Sequence, residues 1–119
     1  MTTPSSTPTI AQRLAAFSTR ASYDDMSPLA REQAKLRILD ALGCAIGAID
    51  AVPVRIVRSQ VEAFDPSGPC RLIGGGTAPP DRAALYNSAL VRYLDFNDSY
   101  LAKGETCHPS DNLGAVLAA

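Results

Sequence analysis

A chain of 119 residues, 46% hydrophobic and 19% charged, has room for one modest core and the composition of a globular protein. Its formal net charge of −1, with both signs interspersed, offers no basic surface to nucleic acid or an anionic membrane. The longest apolar run, Ala41 to Ile49, ends at Asp50, well short of the roughly 20 residues that cross a bilayer.

The opening MTTPSSTPT, residues 1–9, is polar and Pro-rich, without the basic and apolar regions of a signal peptide. It is expected to be a disordered leader, with the cytoplasm as the default location. A first helix is expected from Ile10 to about Arg20, with Ile10, Leu14 and Phe17 on one face, followed by a polar break over Ser22 to Met26. Ser27–Pro28 starts the next helix, Ser as cap and Pro at the first helical position, where its missing N–H costs nothing. Along it Ala34, Ile38, Ala41, Leu42, Ala45, Ile46 and Ile49 recur at three and four, while Arg31, Glu32, Lys35, Arg37 and Asp40 charge the first half. Gly43 and Gly47, four apart, are expected to let another helix approach closely.

Pro53 opens a third helix striped by Val54, Val57, Val61 and Phe64 and closed by Asp65–Pro66. After a Ser67-Gly68-Pro69 turn, Cys70 to Gly74 is a possible short strand. The triplet Gly74 to Gly76 matches neither a dinucleotide-binding nor a P-loop pattern and reads as a flexible turn. Thr77 to Pro80 is expected to introduce a fourth helix that runs to about Asp98, with Tyr86, Leu90, Tyr93 and Leu94 as its apolar face. Asn87, Val91, Asp95 and then Asp98 or Ser99 form a second stripe, which would point Asp95 and Ser99 into one pocket. A loop over Tyr100 to Cys107 leads to a helix start at His108 to Asp111, with Leu113 to Ala119 as first turns. That apolar, uncapped last stretch looks like an interrupted helix.

Cys44, Cys70 and Cys107 show no C-x-x-C spacing, which argues against a disulfide framework, a zinc site or an iron–sulfur cluster. They read as reduced thiols, with Cys44 a small core residue.

Chemistry concentrates after Leu94, where Asp95, Asp98, Ser99, Lys103, Asp111 and the only histidine, His108, lie close in sequence. A histidine at a helix N-terminus is disfavoured as a cation, and a neutral ring can accept a proton or donate its N–H to a carboxylate. Asp95 would orient it or take a proton itself, Lys103 would counter an acidic substrate, and Ser99 would add an orienting hydrogen bond. Bland readings stand beside these: His108 as a cap or surface residue, Asp95 and Asp98 as solvated helix-end acids, Lys103 as a loop charge. Cys107–His108 as a nucleophile pair is disfavoured, because catalytic partners are brought together by the fold rather than by adjacency.

The pair LDFND (Leu94 to Asp98) and HPSDN (His108 to Asn112), with RILDALGCAIGA upstream (Arg37 to Ala48) and the run Ala83 to Asp98, resembles the MmgE/PrpD family over about residues 10–119. That resemblance implies an all-α fold, an antiparallel helical bundle belonging to the N-terminal part of the family's helical domain, with at most one short strand near Cys70–Gly74. Family chains are several times longer, and their α/β domain has no counterpart here. The resemblance further implies a homodimer working without metal or organic cofactor on a tricarboxylate. Carried onto this chain, it makes Asp95 and His108 catalytic, and Ser99, Lys103, Asn97 and Asp98 substrate-binding, with Ser99 standing where family members often have Thr. HPSDN leans towards the family's dehydratase branch, elimination of water from a 2-methylcitrate-type acid in propionate catabolism. Decarboxylation of cis-aconitate, epimerisation, or a non-catalytic helical dimerisation remnant are the alternatives, and the isolated chain is expected to be inactive.

Overall fold

The computed structural model describes residues 7–64 and 67–119. Most of the expected leader, and the Asp65–Pro66 closure of the third helix, lie outside those residues. Two compact units are present, the first ending at Glu32 and the second spanning Gln33–Ala119.

The first unit carries α1 (Ile10–Ser18), a 3-10 turn at Tyr23–Asp25, and the first residues of α2 (Pro28–Gly47). Thr9 caps α1 through a reciprocal box with Gln12: the Thr9 hydroxyl accepts from Gln12 N and the Gln12 amide oxygen accepts from Thr9 N. The apolar face of α1 is present but uncovered, Ile10, Leu14 and Phe17 all being exposed. Ser27 caps α2 by accepting from Ala30 N at 3.2 Å. Arg31 stacks its guanidinium 4.5 Å over the Tyr23 ring and donates to the carbonyls of Asp24 and Met26, which fixes the polar break.

The second unit contains the rest of α2, then α3 (Val52–Phe64), β1 (Cys70–Arg71), β2 (Thr77–Ala78), α4 (Pro80–Tyr93), β3 (Tyr100–Ala102), β4 (Glu105–Cys107), a 3-10 turn at Pro109–Asn112 and α5 (Leu113–Val116). The mostly helical expectation holds. The single short strand expected near Cys70–Gly74 is corrected to two antiparallel hairpins, β1–β2 and β3–β4. In the first, Gly74, Gly75 and Gly76 all take positive φ, a run of left-handed backbone that only glycine adopts cheaply, and Thr77–Ala78 returns as β2 instead of opening the helix.

The core is built of small residues, as the scarcity of aromatics requires. Ala41 and Ala45 of α2, and Ala48 just after it, pack with Val54 and Val61 of α3 and with Tyr86, Leu90 and Val91 of α4, with Cys44 also buried. The α2 stripe is narrower than its periodicity suggested: Ile38 and Ile46 are exposed, as is Phe64 at the end of α3. Neither of the two glycines expected to admit a helix has another backbone against it: Gly43 faces open space, and a Cβ at Gly47 would meet only the Leu94 side chain, 3.1 Å from its Cδ1.

Helix α4 ends at Tyr93, five residues before the expected Asp98. Leu94 is still right-handed, but Asp95 switches to φ +56°, the left-handed conformation that stops a helix and is usually given to glycine. Among the described residues, no helix is long and apolar enough to cross a membrane.

Candidate active site

The chain reversal at Asp95 decides the site. The residues after it leave the helix axis and run into β3, and the tight β3–β4 hairpin, turning at Lys103–Gly104 with Gly104 at φ +87°, brings His108 back beside Asp98 and Ser99. His108 Nδ1 lies 2.8 Å from the Asp98 carbonyl oxygen and 3.3 Å from Ser99 Oγ. A carbonyl only accepts, so Nδ1 carries the proton and donates. On the neutral ring Nε2 is then the lone-pair nitrogen.

A polar clasp supports this arrangement. The Asp98 carboxylate accepts from Ser110 N at 3.1 Å. Asn97, 6% exposed, donates through Nδ2 to Ser110 Oγ at 2.9 Å and to Asp111 Oδ1 at 2.8 Å, and its Oδ1 accepts from Arg92 Nη1 at 3.3 Å. Arg92 also pairs with Asp95, Nη1 to Oδ1 at 2.8 Å, and lies 3.9 Å from Asp111 Oδ2. Beside the 3-10 turn lies an apolar pocket of about 260 Å³, lined by Ile38, Ala41, Leu113 and Val116, with Arg37 and Asp98 among its polar neighbours.

Of the six residues singled out from the sequence, the structure joins three, Asp98, Ser99 and His108, by direct hydrogen bonds. Asp95 does not share a helical stripe with Ser99: the helix has ended, and its exposed carboxylate is held by Arg92. Asn97 is buried and satisfied, so its side chain faces protein rather than a ligand. Lys103 stands exposed at the hairpin tip, outside the clasp. Asn87, placed on the Asp95 stripe by periodicity, is fully buried and turned to β1. The dipole argument for His108 also weakens, since a 3-10 turn and the four-residue α5 follow it rather than one continuous helix; the Asp98 carbonyl fixes the ring instead. Sequence reasoning gave Arg92 no role and did not foresee Ser110 and Asp111 as partners of Asn97. The one available signal was the i,i+3 spacing of Arg92 and Asp95.

Among the described residues, no group of three or more His, Cys, Asp or Glu side chains is arranged to hold a metal ion. All three cysteines are free thiols, Cys44 buried and Cys107 exposed.

A mostly helical domain whose LDFND and HPSDN segments are clasped around one histidine is the class of protein these features define. The chain belongs to the MmgE/PrpD family: the family's N-terminal domain model matches residues 12–119. It is similar to a 2-methylcitrate dehydratase of Salmonella typhi, 34% identical over 105 residues, 82% of this chain and 20% of that protein. A probable 2-methylcitrate dehydratase of Saccharomyces cerevisiae is 39% identical over 94 residues, 77% of this chain and 18% of that one. The alkylcitrate dehydratase phiI of a fungal species is 38% identical over 90 residues, 73% and 18% of the two chains. This chain thus spans about a fifth of the length of the curated relatives it matches. No solved structure matches it.

Proposed function

We propose that this chain supplies the N-terminal, histidine-bearing part of a cofactor-independent dehydratase acting on a 2-methylcitrate-type tricarboxylate. The carrying observation is that the stretch similar to named 2-methylcitrate dehydratases holds His108 with its Nδ1 committed to the Asp98 carbonyl, which leaves Nε2 free of that bond. Elimination of water requires one group to take a proton from the carbon next to a carboxylate while a second protonates the departing hydroxyl, the electron pair of the C–H bond becoming the new C=C bond. His108 Nε2 is one such group, and Asp95 is the other. Asp95 is supported by its backbone, which holds a carboxylate at the left-handed position where a helix usually ends on glycine.

A tricarboxylate also needs several cationic partners, and the described part of the site offers few. Turnover is therefore expected only when this segment is part of a family-length protein. The test follows alkene absorbance with 2-methylcitrate and with citrate, on this chain and on the family-length protein. Activity of the longer protein on 2-methylcitrate is the expected result; release of carbon dioxide from cis-aconitate instead would move the assignment to a decarboxylase.

A further inference from the structure

The buried amide of Asn97 is the node of the clasp, and it makes no use of a ligand. Both of its Nδ2 hydrogens are spent, one on Ser110 Oγ and one on Asp111 Oδ1, while its Oδ1 is fixed by Arg92 Nη1. The amide cannot be flipped, because that would set its oxygen against the Asp111 carboxylate. Five side-chain hydrogen bonds tie residues 97–99 to residues 108–111: Asn97 to Ser110 and to Asp111, Asp98 to Ser110, and His108 to Asp98 and to Ser99. Only the two from Asn97 originate in a buried side chain. Without them the Asp111 carboxylate keeps only its long pairing with Arg92 and Ser110 only its backbone bond to the Asp98 carboxylate, so the turn that begins at His108 is held less firmly. The exposed Ser99 contact, at 3.3 Å, is the weakest of the remainder.

We propose that Asn97, anchored by Arg92, is a positioning residue that sets the tautomer and the aim of His108 and does not itself bind substrate. The inference uses the dehydratase reading only to say what His108 is aimed at; the geometry of the ring stands apart from it. Arg92 bonds both Asn97 and Asp95, so it also ties the carboxylate at the helix end to the histidine arm. A rigid second layer of this kind matters because small misplacements of a proton-transferring group cost rate steeply.

His108 is the single histidine of the 119 residues, so its ring nitrogens report directly in nitrogen-15 NMR. Above the imidazole titration, the unaltered chain should show the proton on Nδ1. Asn97→Ala should move it towards Nε2, the site preferred by a free imidazole, and Arg92→Gln, at a half-exposed position, should move it part of the way. An unchanged tautomer in folded Asn97→Ala overturns the proposal. If that variant does not fold, an unchanged tautomer in Arg92→Gln does so. In the family-length protein, Asn97→Ala should lower kcat by roughly ten- to a hundredfold and leave KM within about twofold. A raised KM with unchanged kcat would make Asn97 a substrate ligand and likewise sink the idea. Absence of dehydratase activity in the unaltered family-length protein would remove the functional reading and leave the tautomer result to decide the positioning role.

Discussion

Asn87 of α4 does for Ile73 what a neighbouring strand would do: its Oδ1 accepts from Ile73 N at 2.9 Å, and its Nδ2 donates to the carbonyl of Arg71 at 3.0 Å. The side chain is completely buried, so both bonds are made without competition from water. A two-residue strand cannot hold itself against a helix by its ladder alone, and the amide anchors the β1–β2 hairpin to the core. Asn87→Ala leaves the Ile73 N–H and the Arg71 carbonyl, both part-buried, without this partner and is expected to cost about 1–3 kcal/mol. Chemical denaturation of the two forms checks it. A loss below about 0.5 kcal/mol would mean that the hairpin does not depend on the amide.

Gly114 of α5 lies against α4 so closely that a Cβ would overlap the backbone nitrogen and hydroxyl of Ser88 and approach the Asn87 carbonyl carbon to 2.8 Å. The obstruction is backbone, which cannot rotate away. Gly114→Ala should therefore push α5 off α4 and destabilise the unit by about 1–3 kcal/mol, although alanine is the better helix former. A thermal melt that shows alanine neutral or stabilising would refute the contact.

The thiols offer a third check. Burial, reinforced by the negative charge of Asp40, raises the Cys44 thiol above its ordinary pKa, whereas Cys107 is exposed on β4. Thiolate is the reactive species, so at pH 8 a disulfide reagent should label Cys107 first and Cys44 only after unfolding. The folded state holds the Cys44 proton more tightly than the unfolded state does. Its contribution to stability is therefore intact below the ordinary thiol pKa and lost as pH rises through the raised value. Rapid native labelling of Cys44 would contradict its buried placement.

Much of the helical framework was legible because its signals are local. Ser27–Pro28 marks the start of α2, and the alanines spaced three and four apart mark its buried side. What was not legible arises where the chain defies periodicity. The apolar and polar repeats of α4 run on through Asp98, and nothing in residue type announces that Asp95, rather than a glycine, turns left-handed. The β3–β4 hairpin was hidden for a different reason. Both strands are exposed on each face, so no alternation of apolar and polar residues betrays them. The motifs singled out Asp98, Ser99 and His108 one by one, while the hydrogen bonds that join them come from a hairpin that the sequence reading took for a loop.

Asp95 allows the sharpest separation of structure from chemistry. It occupies the position where a helix-ending residue is normally glycine, and a non-glycine residue there costs roughly 1 kcal/mol. Its ion pair with Arg92 is 69% exposed on the aspartate side, so the pair returns no more than about 1 kcal/mol. Asp95→Gly should accordingly leave stability unchanged or raise it slightly, since the strain and the ion pair vanish together. If the carboxylate handles a proton in the elimination, the same change in the family-length protein should lower kcat about a hundredfold or more. A variant as stable as its parent yet inactive would place Asp95 in the chemistry. A variant that is destabilised by several kcal/mol, or that keeps its activity, would return Asp95 to the role of a helix stop.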